Sequence, residues 1–181
     1  MTTFIRESQR TEYSFNRWSL VRDPTQSPLA AKRTKTPVAA FQTCFKDASF
    51  ESLARFVQEL SAEKRGNAMP DMFAVLDERS VRDKTVILSI LHSAMPAEFR
   101  EEEWDESKVV TTWKEFRVEF IYACYVAAIL EVKPYLFIDE LDLGTAHFDE
   151  TGVFRVPDAR LKEWDLVNES GESDDSDDSE G

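Results

Sequence analysis

The chain has few of the residues on which common catalytic and structural motifs depend. Its 181 residues include two cysteines, two histidines and five glycines. Two cysteines are too few for a disulfide scaffold, and five scattered glycines leave no Gly-rich loop that could cradle a phosphate. Neither a G-x-S-x-G nucleophile elbow nor a C-x-x-C metal motif occurs in the sequence. The sequence therefore carries no catalytic signature.

Long apolar runs and a secretion signal are also lacking. The longest apolar run, residues 121–130, is shorter than the ~20 residues that a membrane-spanning helix needs. The first ten residues are polar and charged, unlike the start of a signal peptide. We expect no membrane association, a reducing intracellular compartment and a cytoplasmic location, with a nuclear location as the alternative.

Basic residues are outnumbered by acidic ones, 22 to 35, which gives a net charge of −13. Residues 1–37 hold seven basic and three acidic side chains, residues 38–162 hold 15 and 23, and residues 163–181 hold nine acidic and no basic ones. Nucleic-acid affinity comes mainly from Lys and Arg that neutralise phosphates, so the core is not expected to bind DNA or RNA. A basic protein is the partner that this charge favours.

The composition changes twice along the chain and divides it into three segments. Residues 1–37 are predicted to be a poorly ordered basic arm, in which Trp18 could dock on the core. Residues 38–162 contain the apolar periodicity of one α/β domain, and 42 % hydrophobic content is enough for a core. Residues 163–181 are rich in Ser, Asp and Glu, and are predicted to be a disordered acidic tail.

Apolar periodicity within the domain predicts a mixed sheet of four or five strands that is covered by helices, an α/β or α+β fold. The predicted strands are residues 38–45, 72–76, 85–91, 112–120 and 152–156, and the predicted helices are residues 50–63, 94–106, 121–130 and 135–141. Residues 80–84 are polar and are predicted to be a loop between two strands. Asp47 or Ser49 is the expected cap of the first helix. The acidic helix 94–106 would expose Phe99 and Trp104 as an apolar patch.

Two groups of residues have side chains that could take part in chemistry. Cys44 lies in a predicted strand, which favours a buried structural thiol over a nucleophile. His147, Asp149 and Glu150 could hold a cation, but no further ligand fixes them, so a solvated turn is the preferred interpretation. The sequence predicts no metal and no cofactor.

The corner after the strand at residues 72–76 is the best candidate site, because ligands of α/β proteins often bind just beyond strand ends. Asp77 and Arg79 lie there, and Arg117 on a later strand could join them. Asp77 and Glu78 could act as acid and base, with Arg79 binding an anion. We prefer the interpretation that Arg79 pairs with Asp77 or Glu78 and fixes the corner, which leaves the three residues as weak binding candidates.

The order of several short motifs resembles a family of small acidic α/β proteins of bacteria and filamentous fungi that is catalogued as a domain of unknown function. The motifs are Thr43-Cys44-Phe45 leading into the helix at Phe50, Phe73 to Arg79 followed by Val86 to Leu91, Phe116 to Val118, and Asp149 to Arg155. Cys44 stands where that family is expected to have an acid, and Glu78 separates Asp77 from Arg79. The resemblance implies an α/β fold and no particular reaction.

Three functional hypotheses remain. The preferred one is a protein-binding or accessory module that meets a basic partner through an acidic face. The first alternative is a small enzyme, or an accessory protein of a biosynthetic pathway, with a pocket near Asp77, Arg79 and Arg117. The second is a nuclear regulatory factor, based on the basic cluster Lys32, Arg33 and Lys35 and the acidic tail.

Overall fold

The computed structural model describes residues 2–8, 18–26, 34, 42–60, 69–94, 105–132, 138, 141 and 146–157. These residues form a mixed four-stranded sheet with helices, which confirms the predicted α/β or α+β class. The elements in chain order are α1 (Thr2–Glu7), α2 (Phe50–Glu59), β1 (Met72–Val75), α3 (Glu78–Asp83), β2 (Thr85–Ala94), β3 (Val110–Glu119), α4 (Ala123–Val132) and β4 (Val153–Phe154).

The sheet has the strand order β1-β2-β3-β4. β1, β2 and β3 are antiparallel, with Phe73 opposite Ser89 and Ser89 opposite Glu115, whereas β4 lies parallel to β3. The strands predicted at residues 72–76, 85–91, 112–120 and 152–156 are confirmed. Successive side chains along each strand alternate between the core face of the sheet and the opposite face.

The core lies between one face of the sheet and helix α4. The apolar run predicted to be a helix is confirmed as α4, and seven of its ten residues are buried, four of them alanine or cysteine that permit close packing. The core cluster contains Phe4, Ile5, Val86, Leu88, Ile90, Phe116, Val118, Phe120, Ala123, Tyr125, Val126, Leu130, Ile138, Phe154 and Val156. None of the helices in the described part of the chain is long and apolar enough to span a lipid bilayer.

Residues near the amino terminus contribute to this core, contrary to the prediction of a poorly ordered arm for residues 1–37. Phe4 and Ile5 on α1 are almost fully buried, and the Phe4 ring packs on Trp18 and Phe120 with centroid distances of 5.2 and 5.0 Å. The predicted docking of Trp18 is confirmed, and its indole N–H donates to Cys124 Sγ at 3.0 Å. The prediction failed for α1 because six residues with two apolar side chains give no periodic signal.

Three further predictions are corrected. Residues 42–45, the described part of the predicted strand 38–45, form no strand, since the chain turns over residues 44–47 and Asp47 adopts φ 61°. Cys44 is consequently exposed, not buried. The polar residues 80–84, predicted to be a loop, belong mainly to α3, which Lys84 ends in the left-handed region.

Helix α2 begins at the predicted cap: Ser49 Oγ accepts a hydrogen bond from the Ser52 N–H at 3.3 Å. The helix ends at Glu59, four residues earlier than predicted. Phe99, Trp104, most of the predicted helix 135–141 and the tail 163–181 lie outside the described residues.

Candidate functional site

Asp77 and Arg117 form the centre of the predicted site. Asp77 follows β1, and Arg117 lies on β3 opposite Ile87, so the antiparallel register brings together two residues that are far apart in sequence. The two side chains form a bidentate ion pair, in which one bond joins Arg117 Nη1 to Asp77 Oδ1 at 3.2 Å and the other joins Nη2 to Oδ2. Arg117 Nη1 also donates to Thr85 Oγ1 at 3.0 Å. The guanidinium is therefore surrounded by acceptors from the protein itself.

Asp77 is also the cap of helix α3. Its Oδ1 accepts hydrogen bonds from the N–H and the Oγ–H of Ser80, both at 2.8 Å, and the Asp77 N–H donates to Ser80 Oγ at 3.1 Å. Burial alone would raise the pKa of Asp77, but the bonds from Arg117 and Ser80 outweigh burial and lower it to about 2. Asp77 thus stays ionised near neutral pH and is poorly suited to act as a general acid or base.

Arg79 is not part of this cluster. Its Nε pairs with Asp83 Oδ2 at 2.7 Å within α3, and its Nη2 donates to the Thr151 carbonyl oxygen at 2.8 Å. The prediction that Arg79 pairs with Asp77 or Glu78 is therefore wrong: in a helix the side chains at i and i+4 are neighbours, and Asp83 occupies that position. Asp77 therefore pairs with Arg117, whereas Arg79 has other partners. Binding of a ligand at these three residues stays a prediction.

Asp149 stabilises the turn that leads into β4. Its Oδ1 accepts from the backbone N–H groups of Thr151 and Val153, each at 2.9 Å, and its Oδ2 pairs with Arg155 Nη2 at 2.6 Å. The Val153 and Thr151 bonds hold the pKa of Asp149 well below its usual range. No three His, Cys, Asp or Glu side chains in the described ranges are placed to hold a metal ion.

The sheet face that contacts helix α2 carries a second group of polar residues, which the sequence analysis missed. Phe50 of α2 packs on Phe73 and Trp113, with ring centroids 5.7 and 6.1 Å apart, and the Phe73 and Trp113 rings are 5.0 Å apart. Ser89 and Glu115 share this face, because Ser89 is opposite Phe73 on one side and Glu115 on the other. The available signal was Ser89 itself, a polar residue within the apolar run of β2.

Glu115 on this face is close enough to Glu51 of α2 for the two charges to interact. Partial burial raises the pKa of the otherwise exposed Glu115, and the negative charge of Glu51 raises it further. Both residues are exposed at the surface. The combined negative charge of the two carboxylates favours a cation near them.

Comparison with known proteins gives no support for any assignment by similarity. The resemblance to a family of small acidic proteins stays a prediction based on short motifs. The chain matches no protein-family model, no curated protein and no solved structure.

Proposed function

We propose that this protein is a binding module for a basic partner protein, and that Glu51 and Glu115 are at the centre of the contact surface. The observation that carries the proposal is the placement of two exposed carboxylates on one side of the sheet: Glu51 follows Phe50 of α2, and Phe50 packs on Trp113, which shares a sheet face with Glu115. Their mutual repulsion adds to partial burial in raising the pKa of Glu115. A Lys or Arg side chain of a partner, placed between them, would replace this repulsion with two attractive contacts.

The charge of the whole chain supports the same partner class. A net charge of −13 accelerates the encounter with a basic protein and disfavours acidic ones. Such steering weakens as salt is added, because the Debye length falls to about 8 Å at physiological ionic strength.

The enzyme alternative has less support from the geometry. Asp77 and Arg117 satisfy one another, and Arg79 is bonded to Asp83 and Thr151, so the three predicted groups do not converge on a common point. An active site of this kind needs polar groups that point at substrate and not at each other.

Titration of the full chain with a short oligolysine peptide, followed by calorimetry, tests the proposal. The double variant E51Q/E115Q should bind the peptide about three- to tenfold more weakly, since each exposed ion pair contributes ~0.2–1 kcal/mol. The matched control is E106Q/E150Q, which removes the same charge at two other exposed positions.

The control variant should bind within about twofold of the unaltered protein at physiological salt, where long-range steering is screened. An equal loss of affinity for the peptide in both double variants contradicts the proposal, because binding would then depend on net charge alone.

A further inference from the structure

β1 is an edge strand of the sheet. The strand order places β2 on one side of β1 and no other strand of the described sheet on its other side. The Leu91 N–H donates to the Asp71 carbonyl oxygen at 2.7 Å, which fixes where the hydrogen bonds between β1 and β2 fall. Hydrogen-bonded and non-hydrogen-bonded positions alternate along an antiparallel pair. Met72 and Ala74 therefore direct their backbone N–H and C=O groups away from β2.

The pairing of β2 with β3 leads to the same assignment. The Phe120 N–H donates to the Lys84 carbonyl oxygen at 2.8 Å, so even-numbered residues of β2 bond β3 and odd-numbered ones bond β1. None of the described residues bonds the outward N–H and C=O groups of Met72 and Ala74, and both residues are partly exposed. These groups can therefore pair with a strand from outside the chain.

The sequence of β1 does not protect this edge. Natural edge strands are commonly protected by a lysine, a proline, an inward-pointing charge or a bulge. The four residues of β1, Met72–Val75, are all uncharged, and their register with β2 is continuous. Pro70 before the strand and Asp77, the cap of α3, set the two ends of the available edge. An added strand would pair with about four residues.

The residues around the edge restrict what can pair with it. Met72 and Ala74 pack partly against the core, and Phe73 on the opposite face stacks on Phe50, so the neighbours of an added strand are apolar on both faces. Asp71 lies directly before β1, and the exposed Glu78 lies three residues after it. These acids favour basic residues at the ends of an added strand, and the net charge of −13 disfavours a second copy of this chain.

We propose that an extended segment of a basic partner protein pairs with β1 as a fifth strand, with apolar residues at its centre and basic residues at its ends. Its backbone exchanges hydrogen bonds with Met72 and Ala74, and these main-chain bonds supply the affinity. This inference describes how the partner of the proposed function attaches, and it rests on that function only for the charge of the partner.

The probe is the capped peptide acetyl-Arg-Val-Thr-Val-Ile-Arg-amide, and calorimetry measures its affinity. N-methylation of alternate central residues leaves one edge of the peptide with its N–H groups. At least one of the two alternately methylated peptides should therefore bind within about threefold of the parent. N-methylation of all four central residues leaves neither edge and should weaken binding at least about tenfold. These peptides have the same charge, so equal affinity of the parent and the fully methylated peptide overturns the proposal.

Hydrogen exchange of the unaltered protein locates the contact. Saturation with the parent peptide should slow exchange of the outward Met72 and Ala74 amides at least about tenfold. The amides of Phe73 and Val75 already bond β2, so their exchange should change by less than about twofold. Unchanged exchange at both outward amides overturns the proposal. Failure of the oligolysine titration would leave this readout unaffected, because it reports on the backbone of β1 and not on Glu51 or Glu115.

Ala74→Pro removes an outward N–H without removing a bond to β2, since proline is tolerated on an edge strand where its nitrogen faces solvent. The variant should bind the peptide at least about tenfold more weakly. Ala74→Val adds similar bulk but retains the N–H, and should bind within about twofold of the unaltered protein. Urea unfolding establishes that both variants are folded, and equal affinity of A74P and A74V overturns the proposal.

Two further measurements test the chosen partner. A peptide with glutamate in place of both arginines should bind at least about tenfold more weakly at low salt, and equal affinity would contradict a basic partner. Sedimentation of the unaltered protein should show no dimer that A74P abolishes. Such a dimer, together with no binding of the peptide, would overturn the proposal and assign the edge to a second copy of this chain.

Discussion

At the scale of single residues, Asp77 connects three elements. It follows β1, caps α3 through Ser80, and holds Arg117 of β3. The Arg117 side chain is 10 % exposed, so loss of the Asp77 carboxylate would leave a largely buried charge without its ionic partner. The two roles of Asp77, charge partner and helix cap, can be separated by substitution.

Asp77→Asn should lower the free energy of unfolding by about 2 kcal/mol, because asparagine still caps the helix but leaves Arg117 without a charged partner. Asp77→Ala should cost about 1 kcal/mol more, since the cap is lost as well. Urea denaturation measures both. Glu78→Gln, a neighbouring exposed acid, is the control and should change the free energy by about 0.5 kcal/mol or less. Equal stability of D77N and D77A would show that the helix cap does not contribute to the free energy of unfolding.

The stabilisation by the Asp77 carboxylate should be present at neutral pH and should be lost in acid. Its pKa is about 2 in the folded protein and 3.8 ordinarily, so the unfolded state binds more protons between these values. The contribution is complete above about pH 4 and is lost as the pH falls toward about 2. The difference in unfolding free energy between the unaltered protein and D77N should therefore shrink over this range. A difference that is constant from about pH 6 to pH 2 would contradict the depressed pKa.

At the scale of elements, helix α2 is held to the sheet by aromatic rings. Phe50 contacts Phe73 and Trp113, and Phe56 contacts Phe45 at a centroid distance of 5.1 Å. A helix of ten residues is below the ~12–15 residues at which isolated helices become marginally stable in water. The order of α2 therefore depends on these contacts.

Phe50→Ala should release α2 locally without unfolding the sheet. Hydrogen exchange of amides 53–59 should accelerate about 10- to 100-fold, which corresponds to ~1.5–3 kcal/mol for the lost aromatic contact, while amides of β2 should keep their protection. Arg55→Ala, at an exposed position of the same helix, should leave exchange unchanged or slow it. Loss of protection in β2 together with α2 would mean that the two elements unfold as one unit.

The sequence predicted those elements whose signal is local. β2 is predictable as a short apolar run bounded by charged residues, β3 from the alternation of its apolar and polar residues, and α4 from an apolar run that is long for a strand. α3 was missed because its six residues include one apolar side chain, Val81, that is 82 % exposed. Its local signal was the spacing of Asp77 and Ser80, which resembles a capping box with serine in place of Glu or Gln.

The candidate site was predicted less well, because its contacts depend on register. Asp77 and Arg117 were both named, but their pairing depends on how β1, β2 and β3 align, and Arg79 was placed in the wrong pair. Ser89 and Glu115, on the sheet face that contacts α2, were not named as candidates at all. A one-residue shift in register would place Ser89 on the core face, so no pattern within one strand could have predicted this grouping.

At the scale of the whole molecule, α1 joins distant parts of the chain. Phe4 packs on Trp18 and Phe120, and Lys84 Nζ pairs with Glu7 Oε1 at 3.2 Å. The described fold therefore includes residues near the amino terminus as a structural part of the core.

Phe4→Ala should destabilise the protein by about 3–5 kcal/mol, because a side chain that is 3 % exposed is removed from the core. This is a large share of the ~5–15 kcal/mol that stabilises a typical domain, so the thermal midpoint should fall by several degrees. Thr3→Ala, at an exposed position of the same helix, should have little effect. Similar melting curves for F4A and the unaltered protein would place α1 outside the cooperative unit.

The position of α1 also affects how the chain behaves while it is being made. Its partner Phe120 is translated long after Phe4, and synthesis proceeds at roughly 5–20 residues per second. Phe4 and Ile5 are thus exposed for many seconds on a growing chain whose core is incomplete. Apolar surface that is exposed transiently during folding is prone to aggregation, and we expect formation of the β2–β3 pair and α4 to end this exposure.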